Sequence, residues 1–275
     1  MKRYPTTLII AGSDSSGGAG IQADIKTCSS LGVFATTAIT AITAQNTQGV
    51  RSIQAVDATI VREQIEAVLD DFVVDSIKIG MLCNASIANT VADVLEHTSI
   101  PIILDPVMIS TSGHKLLGKD AIDVITNRLI PMAELVTPNI AEACVLSKTG
   151  INEPLQIIDI AHTILSLGCN AVLMKGGHLP CKEACDILVT RQGIDTFTRP
   201  FITTRNTHGT GCTLSTAIAS FRARGHALQS AVEYSKEYVH SAIVHGADVC
   251  AGKGYGALNH AHNPQSLVPI EYQLL

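Results

Sequence analysis

The chain has 275 residues, 46% of them apolar and 16% charged, with a formal charge of −5 and no Trp. That balance excludes a disordered tail and a coiled coil, and a chain approaching 300 residues buries about 75% of its unfolded surface. Nineteen basic against 24 acidic residues, without a basic block, leave no electrostatic footprint for a nucleic-acid backbone, and no uncharged apolar run reaches the roughly 18 residues of a membrane span.

Short β-branched or aliphatic runs alternate with longer amphipathic ones. Residues 7–11 read as the first strand and 21–31 as the helix after it. A helix at 62–71 precedes a strand at 76–79, a helix at 86–97 and a strand at 100–105. Then come a helix at 120–128, a strand at 135–137, helices at 140–147 and 157–167, and a strand at 171–174. The strand runs are nearly all apolar, as burial on both faces requires. Alternation of this kind predicts right-handed crossovers and a mostly parallel sheet covered by helices on both faces.

Residues 186–201 break the rhythm, because DILVT and DTFTRPFI flank RQGI. They predict a hairpin on Gly193, antiparallel and at one edge. Two long helical patterns, 213–224 and 227–246, lead to the Gly-rich segment AGKGYGALNHAHN. No linker or repeat interrupts the chain, so a single domain over 1–275 is expected. Eight cysteines lie scattered in apolar stretches with no export signal ahead of them, which predicts reduced thiols in a cytoplasmic protein. The close pair Cys181 and Cys185 has no second pair at zinc spacing. The expected partner is a small molecule.

In an open parallel sheet, ligands collect where strand carboxyl ends meet loops and helix N-termini. The most informative segment there is NTHGTGCTLS, residues 206–215. Gly209 and Gly211 open backbone conformations closed to other residues, and an apolar-periodic helix follows at Thr213. Several amide N–H groups then converge on one spot with a helix dipole behind them, an anion hole suited to a phosphoryl group in flight. Cys212 at that helix start is expected to have a lowered thiol pKa and to take a proton from a substrate hydroxyl. A buried cysteine behind a simple cap fits the local sequence equally well. The segment is not a Walker A loop, since no Gly-Lys-Ser/Thr follows, and it lacks the GxGxxG spacing of a dinucleotide site.

Seven segments taken together carry a wider resemblance: AGSDSSGGAGIQADIKT (11–27), TAQNTQGV (43–50), IKIGML (77–82), LDPVM (104–108), TPNIAEA (137–143), LMKGGH (173–178) and NTHGTGCTLSTAIAS (206–220). In this order the chain resembles the hydroxymethylpyrimidine/phosphomethylpyrimidine kinases of thiamine biosynthesis, members of the ribokinase-like superfamily. The resemblance implies a three-layer α/β/α fold with a mostly parallel central sheet and antiparallel edge strands. It also implies a homodimer that uses ATP and Mg²⁺ to phosphorylate 4-amino-5-hydroxymethyl-2-methylpyrimidine and then its monophosphate.

Carried over residue by residue, the pyrimidine pocket is expected to hold Asp24 and Gln45, with Gly12, Met81 and Val107 as walls. The Gln45 amide offers a donor and an acceptor, matching the mixed edge of an aminopyrimidine. Asp105 and Glu142 are expected to hold magnesium largely through water, and Lys175, Thr207 and Lys236 to serve the nucleotide phosphates. Gly209, Thr210, Gly211 and Cys212 form the transfer site.

Plainer readings stand beside these. Asp24 suits a first-turn acid, Glu142 a helix start capped by Asn139, Asp105 a turn before Pro106, and Lys175 or Lys236 a solvated face. His114, Met174 and the tail GYGALNHAHN depart from the family pattern, and His260 and His262 read as part of a flexible polar tail rather than a metal pair. The rival activities are a pyridoxal kinase on the same fold and a silent ligand-binding module. A nicotinamide oxidoreductase lacks its fingerprint turn.

Overall fold

A computed structural model describes residues 1–108, 117–150, 156–176 and 183–271. In chain order it contains β1 (Lys2–Arg3), β2 (Thr6–Asp14), α1 (Gly20–Ser30), β3 (Phe34–Asn46), β4 (Gly49–Ala55), α2 (Ala58–Asp71), β5 (Ser76–Ile79), α3 (Ala85–Leu95) and β6 (Ile102–Leu104). It continues with α4 (Lys119–Val124), β7 (Leu135–Val136), α5 (Ile140–Ser147), α6 (Gln156–Leu165), β8 (Ala171–Lys175), β9 (Glu183–Thr190), β10 (Ile194–Pro200), α7 (Thr210–Ala223), α8 (Leu228–Val244) and β11 (Ile270–Glu271). His114 and Cys181 lie outside the described residues.

The large sheet runs β10-β9-β8-β7-β6-β5-β2-β3-β4. Its centre, from β8 to β3, is parallel, while β4 at one edge and β9 and β10 at the other are antiparallel. The expected hairpin at 186–201 is β9 and β10, paired from Glu183 with Pro200 to Val189 with Ile194. One face carries α2 to α6 over the largest apolar cluster, and the other carries α1, α7 and α8 over two further clusters. Burial on both faces explains why β2 and β5 are almost wholly enclosed. No helix among the described residues is long and apolar enough to cross a membrane.

Three features differ from the sequence expectation. Residues 34–55 form the long β3 and its partner β4, though no strand is predicted there. Thr and Ala dominate FATTAITAITAQN, and its outer half leaves several positions exposed, so the apolar run that marks a buried strand is missing. Second, α7 begins at Thr210 rather than Thr213, which places Gly211 and Cys212 inside its first turn. Third, the tail is docked. Gly256 O accepts from His208 N at 3.0 Å, Ala242 O from Asn259 N at 3.1 Å and Ser30 O from Gln265 N at 2.8 Å. His260 within it is only 4% exposed, its Nε2 lying 3.0 Å from the Thr213 hydroxyl in α7.

Candidate active site

The glycine turn precedes α7 at the carboxyl edge of the parallel strands. Gly209 caps the helix with a φ of +85°, and a Cβ there would overlap the Gly18 carbonyl, so only glycine fits. The carbonyl of Thr207 accepts from the Thr210 amide at 3.2 Å and from its hydroxyl at 2.8 Å. Asn206 Nδ2 ties the turn to the segment after α8, donating to Gly246 O at 2.6 Å and Val249 O at 2.7 Å. Thr213 N returns to Gly209 O at 2.8 Å. The amides of Gly211 and Cys212 take no protein acceptor among the described residues, leaving two donors at the positive end of a helix.

Three charged groups cluster beside Gly211. Lys175, the last residue of β8, places Nζ 2.8 Å from Asp105 Oδ1 and 3.9 Å from Glu142 Oε2. A Cβ on Gly211 would sit 3.3 Å from that Nζ and 3.7 Å from Asp105 Oδ2, so glycine turn and ion cluster share one point. Asp105 follows β6 and also receives the Thr137 hydroxyl at 3.2 Å. Glu142 does double duty: with Asn139 it completes the capping box of α5, accepting Asn139 N at 2.8 Å, while it faces Lys175. Burial pushes the Glu142 carboxyl up, Lys175 opposes that shift and Asp105 reinforces it. Burial works against the Lys175 ammonium, but Asp105 and Glu142 outweigh it and hold its pKa above the ordinary value.

The second part of the edge lies at β2 and β3. Both strands are irregular there: the β2–β3 register shifts between Ala11 and Ser13, and the β3–β4 register between Ala44 and Gln45. Such bulges re-aim side chains. Gly12 sits at the first, so close to the Met81 methyl that no Cβ fits without moving it. Met81, in the loop after β5, is 9% exposed and its carbonyl accepts the Thr40 hydroxyl at 2.6 Å. Val107 is partly buried in the loop after β6. Gln45 sits at the second bulge, its terminal amide 3.3 Å from His208 Nε2 and 3.3 Å from the Thr43 hydroxyl. His208 is in turn 2.8 Å from Asp14 Oδ2. Asp14 also accepts from the amides of Ser16, Gly18 and Ala19 at 2.8, 3.2 and 2.9 Å. Burial alone would raise the Asp14 carboxyl, but bonds from His208, Ser16 and Ala19 bring it down to about 2.

Several expectations are corrected. Asp24, expected in the pyrimidine pocket, is wholly buried and both its oxygens already have protein partners, with Oδ2 2.7 Å from Lys78 Nζ and Oδ1 accepting the Thr216 hydroxyl at 2.6 Å. Lys236, expected at the nucleotide phosphates, is instead engaged by Asp186, its Nζ lying 2.6 Å from Oδ2 with both side chains buried. Asp186 Oδ1 accepts Gly176 N at 3.0 Å, so this pair braces the end of β8 beside Lys175.

The Cys212 thiol moves opposite to expectation: burial pushes it up to about 11, with Lys78 opposing and Asp24 and Asp105 reinforcing. Near neutral pH it is therefore a thiol.

Lys78 went unrecognised in the sequence. Burial acts against its ammonium, and the acids Asp24 and Asp105 hold it charged, with its pKa above the usual lysine value. A lone lysine inside the apolar run SIKI was the available signal, because a charge on a two-sided buried strand demands a partner.

A mostly parallel sheet that gathers free helix-start amides, two acids and a lysine at its carboxyl edge defines a kinase of the ribokinase-like fold. Solved structures agree. The pyridoxal kinase of Staphylococcus aureus solved with pyridoxal has 30% identity and a TM-score of 0.86, covering 94% of each chain. A phosphomethylpyrimidine kinase from Clostridium difficile 630 has 43% identity and a TM-score of 0.77, covering 86% of this chain and 99% of that one. The chain belongs to the phosphomethylpyrimidine kinase family, whose family model matches residues 14–259. The hydroxymethylpyrimidine/phosphomethylpyrimidine kinase of Escherichia coli K12 is 42% identical to it over 95% of this chain and 99% of its own length.

Proposed function

We propose that the protein transfers the γ-phosphoryl group of ATP to the hydroxymethyl oxygen of 4-amino-5-hydroxymethyl-2-methylpyrimidine, and then phosphorylates the monophosphate to the diphosphate. The observation that carries this reading is the meeting of Gly211 with Lys175 at 3.3 Å and Asp105 at 3.7 Å, in a glycine turn whose His208 touches Gln45. The named activity of the E. coli relative supports it.

Phosphoryl transfer asks mainly for positioning and charge neutralisation. The amides of Gly211 and Cys212 receive the oxygens of the transferring group, and the Lys175 ammonium offsets the charge that develops there. Gln45 holds the ring while Gly12, Met81 and Val107 flank it. The Thr207 carbonyl shapes the turn by accepting from the Thr210 amide and hydroxyl, and the Thr207 hydroxyl serves the nucleotide phosphates.

The donor set fits Mg²⁺: Asp105 and Glu142 are hard oxygen donors already converging on a cation, the Lys175 ammonium. A bound Mg²⁺ would screen phosphate charge at these two residues. The Cys212 thiol positions the acceptor hydroxyl; as the oxygen–phosphorus bond forms and the bond to ADP breaks, the hydroxyl proton passes to an oxygen of the transferred phosphoryl group, since no standing thiolate is present to take it earlier. Cytoplasmic residence, supported by the scattered cysteines, and a homodimer, implied by the family resemblance, belong to the same proposal.

A coupled ADP-release assay run in parallel with the aminopyrimidine alcohol, its monophosphate and pyridoxal tests the reading. Higher kcat/KM on both pyrimidines is expected; preference for pyridoxal replaces the reading with the rival kinase. Cys212→Ala is expected to lower kcat by on the order of 10²-fold, the cost of a misplaced hydroxyl, while KM moves far less. An unchanged kcat removes the thiol from the mechanism.

A further inference from the structure

The hydrogen bonds around Gln45 fix more than its position. Asp14 Oδ2 lies 2.8 Å from His208 Nε2, and the same carboxylate accepts from three backbone amides, as an ionised acid does. A carboxylate only accepts, so Nε2 carries a hydrogen and donates it. Placed with its amide nitrogen toward that Nε2 at 3.3 Å, Gln45 would set donor against donor. The other end of the amide has the mirror problem. Thr43 has one hydroxyl hydrogen, and it goes to Ser13 O at 2.8 Å, so toward the Gln45 amide at 3.3 Å the hydroxyl acts as an acceptor. Turning the amide by half a revolution about its last bond removes both conflicts at once, and amide orientation is assigned from such networks.

In that orientation the amide oxygen takes part of the His208 N–H and keeps a second lone pair. The nitrogen gives one hydrogen to Thr43 and keeps the other. What remains for a ligand is one acceptor and one donor side by side, in a fixed order. That order suits a ring whose amino group neighbours an unprotonated ring nitrogen. A 4-oxo ring with an adjacent N–H presents the reverse edge and meets oxygen with oxygen and hydrogen with hydrogen.

We propose that His208, anchored by Asp14, and Thr43 are positioning residues that lock the Gln45 amide and thereby make the site select a 4-aminopyrimidine over its 4-oxo counterpart. This rests on the reading above, in which Gln45 faces the ring. It also gives the third residue of the segment 206–215 a task that the anion hole leaves unassigned. The bulge between Ala44 and Gln45 brings the amide to His208, across 163 residues of sequence.

The test compares kcat/KM for 4-amino-5-hydroxymethyl-2-methylpyrimidine and its 4-oxo analogue in the unaltered enzyme, His208→Leu and Thr43→Val. A good bidentate pair discriminates strongly, so each variant is expected to lower the amino-over-oxo ratio by about tenfold or more. At saturating aminopyrimidine, kcat is expected to change less than that ratio. A merely structural role would lower both substrates together. Both folded variants keeping the parental ratio within about twofold would overturn the proposal, since the lost bidentate match is worth more than that. Should His208→Leu fail to fold, Thr43→Val decides alone. Failure of the unaltered enzyme to phosphorylate either pyrimidine sinks the functional reading instead, and Gln45→Leu with an unchanged ratio sinks the premise that Gln45 reads the ring.

Discussion

The glycine turn at 206–211 and the ion cluster of Asp105, Glu142 and Lys175 face the same point of the edge but hold their shape differently. The turn is fixed by backbone: a left-handed Gly209 against the Gly18 carbonyl, the Thr207 carbonyl serving Thr210, and Asn206 reaching past α8. The cluster is fixed by charge, with one ammonium between two carboxylates. Charges can exchange partners when a phosphate or a cation arrives, whereas a backbone turn cannot. Donors that must be aimed are built into main chain, and groups that must re-pair are side chains.

The hardest strain on that contrast is a methyl group at each glycine. Gly209→Ala is expected to abolish turnover and lower Tm, because a positive φ and a carbonyl overlap together cost roughly 1–3 kcal/mol or more. In Gly211→Ala the new Cβ meets only the tip of Lys175, at 3.3 Å, and Asp105 Oδ2 at 3.7 Å. Its Tm is expected to stay near the parental value while kcat falls. Calorimetry and steady-state kinetics on both variants check this, and equal Tm losses would break the comparison.

A smaller effect is expected at the cluster. Lys175→Met removes the ammonium from between two buried acids and is expected to lower kcat/KM for ATP by on the order of 10²–10³. If the variant instead keeps its activity at high magnesium, the lysine acts only as a spacer between the carboxyls.

The smallest effect sharpens the turn's side. Burial pushes the His260 imidazole down to about 4, and its ring meets Thr213 in the first turns of α7. The unfolded chain binds the proton near 6.5, so stability is complete above that value and is lost as pH falls toward 4, by up to about 3 kcal/mol. Urea midpoints between pH 4 and 7 are expected to show this slope, and His260→Asn to flatten it.

Local patterns carried much of the fold. Residues 140–147 form α5 with the bounds that the sequence implies, and Asn139 and Glu142 announce its start three residues apart. The hairpin on Gly193 is equally local. The glycine cap at Gly209 was legible too, because left-handed backbone leaves its mark in residue type, whereas Gly211, expected to share that freedom, lies in helical backbone. Pairings across long separations were not. Asp24 meets Lys78 across 54 residues and Asp186 meets Lys236 across 50, and nothing near either acid says which cation it will meet. Read alone, Asp24 and Lys236 pass for ligand-binding groups. The Cys212 shift followed the same course: a helix start predicts a lowered thiol, but enclosure by neighbouring elements sets the outcome.

The sequence by itself determined the parallel sheet, its helical cover and the glycine-capped start of α7, since apolar period and backbone permission are written residue by residue. Only the tertiary structure decided which charges are buried against each other and which groups surround the Cys212 thiol and the Gln45 amide. Those depend on distances between segments far apart in the chain, and electrostatic and hydrogen-bond energies are set by such distances and by the water they exclude.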